Sequence, residues 1–139
     1  MTYLELLAGA RGFILYTYGD GRFAIRDHDE LWLAAGGLAR ELKVLAPFIF
    51  ASKRQVETAG DGYYSMAWWV NDEARMVLVN TNSEPFAFSS TALPAGDVTV
   101  VAGTVQGLRR SDDGQLRGVL PPLDRAILSF RALPKAVEP

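Results

Sequence analysis

A group of ionisable side chains lies early in this chain of 139 residues. Its members are Asp20, Asp27, His28, Asp29 and Glu30. Paired carboxyl groups and an imidazole are the side chains that general acid–base catalysis uses. Asp20 directly follows an apolar run and is the best placed carboxylate, whereas Asp27 or Asp29 can also cap the helix that follows. We therefore take Asp20, Asp27 and Glu30 as candidate catalytic residues.

The same segment does not have the residue pattern of a metal-binding site. His28 is the single histidine, no serine or cysteine nucleophile motif accompanies it, and we interpret it as a solvated loop residue. The sequence DHDE lacks the glycine and the ligand spacing of a calcium-binding EF-hand loop. The chain has no cysteine, which excludes disulfides and thiolate metal sites. We expect no metal and no cofactor.

Two groups of aromatic side chains could bind a ligand by stacking. Tyr16 and Tyr18 end the apolar run FILYTY at 13–18, and a second group lies in the sequence YYSMAWW at 63–69. Side chains alternate between the two faces of a strand. We expect the face with Tyr64, Met66 and Trp68 to lie inside. The other, more polar face then presents Tyr63 and Trp69 as candidate binding residues.

Composition narrows the class of protein. Hydrophobic residues make up 49% of the chain and charged residues 22%, which is typical of a folded globular domain. The net charge is -2 and the basic residues are scattered, so we expect no nucleic-acid partner. No apolar run approaches the ~18 residues of a membrane span, and the start lacks a basic signal-peptide region, so we expect a cytoplasmic protein.

The pattern of apolar residues predicts an α+β fold that is mostly β. A short helix over 2–10 precedes a strand at 13–18, whose continuous apolar run indicates that both faces are covered. A long helix over 30–46, ended by Pro47, carries an apolar stripe at three- and four-residue steps. Six to eight short antiparallel strands follow and predict a β-sandwich, with MVLVNTN as a central strand.

This order predicts three parts, namely a helix–strand–helix segment at 1–47, an antiparallel β-sandwich at 48–134 and a tail at 135–139. A lone strand between two helices leaves backbone donors and acceptors without partners on both edges. Either residues 13–18 join the later strands of the chain, or their partner strands come from elsewhere. We expect a homo-oligomer that forms through this βα segment.

The sequences YLELLAGARGFILYTYGD and ELWLAAGGLARELKVLAPFI resemble the last strand and last helix of a (β/α)8-barrel glycoside hydrolase. In that family a small β-sandwich often follows the barrel. The sequences RMVLVNTNSEPFAFS and LPPLDRAILSFRAL are similar to strands of such sandwiches. The resemblance covers essentially the whole chain and implies a βα remnant of the barrel packed on the sandwich.

The resemblance also implies a carbohydrate partner. Barrel enzymes bind substrate at the carboxyl ends of their strands, which would place Tyr16, Tyr18 and Asp20 near a sugar-facing rim. The family's usual catalytic carboxylates lie on earlier strands, which would precede Met1. We therefore expect a carbohydrate-related segment without the usual catalytic pair. Two alternatives are an active small glycosidase that uses Asp20 with a second loop carboxylate, and a non-catalytic carbohydrate-binding sandwich.

Overall fold

The computed structural model describes residues 2–14, 23–50, 53–58, 62–91, 93 and 96–132. These residues form three layers, in which a five-stranded antiparallel sheet lies between two helices and a three-stranded antiparallel sheet. The helices are α1 (Thr2–Leu7) and α2 (Asp29–Ile49), with a 3-10 turn at Ile25–Asp27. The strands are β1 (Lys53–Thr58), β2 (Tyr63–Val70), β3 (Glu73–Asn80), β4 (Phe86–Ser90), β5 (Gly96–Gly103), β6 (Gln106–Arg110), β7 (Leu116–Leu120) and β8 (Arg125–Ala132).

The prediction of a mostly β, α+β fold with an antiparallel sandwich is confirmed. The large sheet has the order β1-β2-β3-β8-β5 and the small sheet the order β4-β7-β6. Strand β3, which contains the sequence MVLVN, occupies the centre of the large sheet as predicted. The last strand, β8, is inserted between β3 and β5, so the large sheet joins elements that are far apart in the chain.

Both faces of the large sheet are buried, and the sequence of β3 shows why. Met76 and Leu78 face the small sheet, whereas Val77 and Val79 face the helices. A strand that is covered on both sides needs apolar residues at successive positions. The core between the sheets is completed by side chains from the neighbouring strands, including Tyr63, Phe88, Leu116, Leu120, Leu128 and Phe130.

A second core lies between the helices and the outer face of the large sheet. Leu6 of α1 and Leu45, Phe48 and Ile49 of α2 are buried there. Their partners on the sheet are Met66, Trp68, Val77, Val79 and Ile127. The side chains of α2 at 45, 48 and 49 follow the helical repeat, so one stripe of the helix supplies the contact. The helices are therefore packed on the sandwich rather than separate from it.

Helix α2 does not end at Pro47, and this prediction is wrong. The helix runs on to Ile49, with Pro47 in its last turn. A proline costs a helix interior about 3 kcal/mol or more, partly because its nitrogen carries no hydrogen to donate. Here the two residues after the proline, Phe48 and Ile49, are buried on the sheet, and their burial offsets that cost.

The predicted strand at 13–18 lies for the most part outside the described residues. Its first two residues, Phe13 and Ile14, are described and are not in a strand. The division of the chain at residue 47 stays a prediction, as does the tail at 135–139. No helix among the described residues is both long and apolar enough to cross a membrane.

The packing of α2 on the sheet predicts a large effect of Leu45→Ala. Leu45 is 0% exposed, and truncation of a buried leucine costs about 2–5 kcal/mol because it removes apolar contacts and leaves a cavity. We expect this loss in the free energy of unfolding, measured by urea denaturation. The control Leu33→Ala lies on the same helix at 69% exposure, and it should change stability by no more than about 0.5 kcal/mol. Equal losses in the two variants would show that α2 is not held on the sheet as described.

Candidate functional site

The predicted carboxylates Asp27 and Glu30 lie at the same end of helix α2. Asp27 is in the 3-10 turn and Glu30 is in the first turn of α2, and both side chains are exposed. His28 occupies the N-cap position of α2, and its side chain makes no cap hydrogen bond. The prediction that Asp27 or Asp29 caps this helix is therefore wrong. The imidazole of His28 stacks on Phe23, with ring centroids 4.7 Å apart and an angle of 16° between the planes.

The amino end of a helix attracts negative charge because its first N–H groups have no partner within the helix. Carboxylates in the first turn of α2, from Asp29 and Glu30, therefore stabilise the helix whether or not they have another role. The third predicted carboxylate, Asp20, and the aromatic residues Tyr16 and Tyr18 lie outside the described residues. Their assignment to a site stays a prediction.

The prediction that Tyr63 lies on an exposed binding face is wrong, whereas the binding role of Trp69 stays a prediction. Tyr63 is 1% exposed, and its ring stacks on Phe86 with centroids 4.7 Å apart, inside the core between the two sheets. Trp69 lies on the same face of β2, and its ring meets Phe130 edge to face at 5.3 Å. Tyr63 thus lies within the sandwich core, whereas Trp69 is partly buried and packs against the border of that core. The Tyr63 ring presents no stacking surface to a sugar.

The prediction that the opposite face of β2 is buried is confirmed for Met66 and Trp68. Both are buried, but their partners are the helices rather than the second sheet. Tyr64, on the same face, is partly exposed. The alternation of side chains along β2 predicts one covered face, whereas the structure covers both faces of this strand.

A polar cluster joins the helices to the sheet, and we call its residues Tyr3, Glu41, Asp124 and Arg125 the clamp. The Tyr3 hydroxyl donates a hydrogen bond to Glu41 Oε2, and Arg125 Nη2 donates to Glu41 Oε1 at 2.5 Å. Arg125 Nη1 also donates to Asp124 Oδ1 at 3.0 Å. The clamp thus connects α1, α2 and the start of β8 through the two oxygens of one carboxylate. Bonds of this kind, in which the acceptor is ionised, are stronger than those between neutral groups.

The clamp changes the acid–base properties of its members. Burial raises the pKa of the Tyr3 hydroxyl well above its ordinary value of 10.0, and the hydrogen bond to Glu41 and its negative charge raise it further. The positive charge of Arg125 acts in the opposite direction on the pKa of Tyr3. Burial works against the charged form of Arg125, but its bonds to Asp124 and Glu41 prevail and raise its pKa. Tyr3 therefore stays neutral and Arg125 stays charged at neutral pH.

Sequence reasoning missed the clamp because its members are far apart in the chain. Tyr3 and Glu41 are separated by 38 positions, and Glu41 and Arg125 by 84. One local signal was present, since Glu41 lies one residue before Leu42 and four before the buried Leu45, next to the apolar stripe of α2. A carboxylate at the border of a buried stripe needs a partner once the helix is packed.

A groove lies beside the clamp, between the middle of α2 and strand β5. It has a volume of about 350 Å³. Its apolar lining comes from Val44, Val101, Ala102 and Ile127, and its polar lining includes Arg40 and Glu41. Among the described residues no group of three or more His, Cys, Asp and Glu side chains could hold a metal ion.

The geometry of the clamp predicts that Glu41→Gln destabilises the fold. The side chains of Glu41 and Arg125 are 17% and 35% exposed, so loss of the carboxylate removes one of the two ionised partners of a partly buried guanidinium and leaves Asp124 as the other. We expect a loss of about 1–3 kcal/mol in the free energy of unfolding. The matched control is Glu73→Gln, which breaks the exposed pair with Arg131 and should cost clearly less stability than Glu41→Gln, because water and salt screen an exposed ion pair. If the control lost as much as Glu41→Gln, the clamp would be no stronger than a surface pair.

The raised pKa of Tyr3 predicts a dependence of stability on alkaline pH. Folding favours the neutral hydroxyl, so this contribution to stability is complete below the unfolded pKa of about 10 and is lost as pH rises towards the folded pKa. Urea denaturation between about pH 9 and pH 11.5 should show stability falling more steeply in the natural chain than in Tyr3→Phe. Parallel pH profiles for the two proteins would contradict the assignment.

No protein-family model matches this sequence, and no curated protein matches it. Two solved structures match part of the chain. One is described as the crystal structure of alpha-amylase from H.orenii; it is 13% identical, with a TM-score of 0.48 over 66% of this chain and 18% of that chain. The other is described as the crystal structure of AmyP in complex with maltose; it is 18% identical, with a TM-score of 0.47 over 62% of this chain and 17% of that chain.

The matched part is thus less than a fifth of the length of either solved structure. Over about two thirds of its length, the chain is structurally similar to part of these two proteins.

Proposed function

We propose that this chain is the C-terminal part of a glycoside hydrolase and has no catalytic activity by itself. In this proposal, α1 and α2 belong to the end of a (β/α)8 barrel, and the sandwich supports that end. The sequence resemblance described above suggests the assignment. The observation that carries it is the uneven burial of helix α2.

Helix α2 has two apolar regions that need different partners. Its C-terminal half buries Leu45, Phe48 and Ile49 on the sandwich. Its N-terminal half is just as apolar, but Leu31, Trp32 and Leu33 are between 48% and 69% exposed. Consecutive large apolar residues at the surface of a helix indicate a contact with further protein. The outer helix of a barrel has such a contact, because its inner side packs on the barrel strands.

The proposed carbohydrate role depends on this arrangement of α2. The loop before α2 would then follow the last barrel strand, so Tyr16, Tyr18 and Asp20 would lie at the substrate rim. Asp27 and Glu30 would lie at the start of the last barrel helix, close in sequence to the same rim. The complete enzyme would supply the catalytic carboxylates from earlier strands.

The alternative of an active small glycosidase makes a different demand on the same loop. Hydrolysis requires two carboxyl groups about 5–5.5 Å apart for retention of configuration, or about 6.5–9.5 Å apart for inversion. Asp27 and Glu30 offer the exposed carboxylates for this role, each with Asp20 as the partner. An activity assay separates this alternative from the proposal.

The proposal predicts that the chain alone hydrolyses no aryl glycoside. On a panel of aryl glycosides of both anomeric configurations, the purified chain should release no more phenol than the buffer blank. Activity that disappears in Asp20→Asn and in Asp27→Asn or Glu30→Gln, but persists in the surface control Asp112→Asn, would establish the alternative instead.

The DNA upstream of the codon for Met1 tests the other half of the proposal. We expect an in-frame continuation that encodes further alternating strands and helices, and a product of the longer frame that hydrolyses a glycoside. An in-frame stop codon directly before Met1 would contradict the assignment as a C-terminal part.

A further inference from the structure

Strand β5 forms an open edge of the large sheet in the described part of the chain. It has eight residues and is the longest of the four edge strands there, since β1 has six and β4 and β6 have five each. Its residues 98–103 have the sequence VTVVAG and contain no charged residue and no proline. Proteins usually protect an exposed edge with lysine, proline or a very short strand, because unpaired N–H and C=O groups bind other strands.

The other edge strands carry such protection. The sequence of β1 is KRQVET, in which three of six residues are charged, and β6 ends in two arginines. Strand β4 is short and directly follows Pro85. Strand β5 has only an irregularity at Val101, where its pairing with β8 shifts by one residue. This bulge leaves two neighbouring valines exposed, Val100 at 39% and Val101 at 47%.

Two charged side chains near β5 make no ion pair within the described residues. One is Asp97, the second residue of β5, and the other is Arg40, which lines the groove beside Gly103 at the opposite end of the strand. Arg131, which lies across from Asp97 on β8, is already bonded to Glu73 at 2.5 Å. An anion thus lies at one end of the open edge and a cation beside the other end.

Asp97 and Arg40 also lie on the same side of the sheet. The register places Asp97 opposite Arg131 and Val98 opposite Phe130. Val98 and Phe130 face the core between the sheets, so Asp97 faces the side that carries the helices. Arg40 belongs to α2, which covers that same side.

We infer that the chain forms a symmetric dimer in which the β5 strands of two copies pair antiparallel and join the two large sheets. Antiparallel pairing about a two-fold axis places the start of one β5 beside the end of the other. Asp97 of each copy then faces Arg40 of its partner. The symmetric dimer therefore contains two such ion pairs. The exposed valines of the two strands meet near the axis. The inference is independent of the proposed function, and it differs from pairing through the segment at 13–18.

Sedimentation equilibrium tests the dimer and its location. The natural chain should sediment as a dimer with a dissociation constant on the order of micromolar, and Val101→Lys should raise this constant at least about tenfold by placing two like charges near the axis. The matched control Leu33→Lys places the same charge on the exposed part of α2 and should leave the dimer intact. A natural chain that is monomeric at millimolar concentration overturns the inference. So does dissociation by Leu33→Lys without dissociation by Val101→Lys.

A charge exchange tests the predicted pairing of Asp97 with Arg40 of the partner. Asp97→Arg and Arg40→Asp should each weaken the dimer about tenfold, and the double variant should restore it. Failure of the double variant to recover at least part of the loss would show that the two side chains do not meet.

Disulfide trapping reports the geometry even where a charged variant affects folding. The chain has no cysteine, so a single substitution gives a clean background. Val101→Cys should form a covalent dimer rapidly on mild oxidation, because near a two-fold axis each new thiol lies close to its own copy. The control Leu123→Cys is 74% exposed and lies before β8 rather than on the paired strand β5, and it should remain mostly monomeric under the same conditions. Equal trapping of the two variants would count against pairing through β5.

Discussion

The large sheet must be covered on both faces, and the rest of the structure depends on this constraint. Strands β2, β3 and β8 place apolar side chains on both sides, so the small sheet alone cannot bury them. The helices supply the second cover through one stripe of α2 and the inner side of α1. Burial of a large apolar side chain stabilises a fold by about 1.5–3 kcal/mol, so exposure of the five buried side chains on the outer face of the sheet would cost about as much as the whole stability of a typical domain.

Apolar contact covers the sheet, whereas the clamp fixes how the cover is oriented. Apolar packing is not directional, and several placements of a helix on a sheet can bury a similar area. The carboxylate of Glu41 restricts these placements, because its two oxygens bind Tyr3 from α1 and Arg125 from β8. The relative placement of helices and sheet matters for the proposed function, since a barrel end must keep its loops in position.

The sequence predicted the positions of helices and strands better than the tertiary contacts of their side chains. The apolar run of β3 and the stripe of α2 follow simple periods, and both elements appear where they are expected, although Leu31 at the start of the stripe is exposed. The alternation of side chains along β2 is also evident in the sequence, but it does not show how many faces of the strand are covered. For this reason the sequence predicts an exposed face for Tyr63, which is in fact buried. The local rule for proline predicts a helix end at Pro47, and the burial of Phe48 and Ile49 on the sheet overrules it. The clamp depends on tertiary neighbours, and its one local signal, a carboxylate next to the apolar stripe of α2, does not identify those neighbours.

The position of β8 has a consequence for the order of folding. The strand that fills the gap between β3 and β5 is the last described element of the chain. Neither neighbour can complete its backbone pairing until β8 arrives, and Arg125 at its start is also needed by Glu41. On a ribosome, β3 and β5 would therefore wait until β8 has left the exit tunnel. Such late closure of the sheet exposes apolar strands during synthesis, when they can pair with other chains.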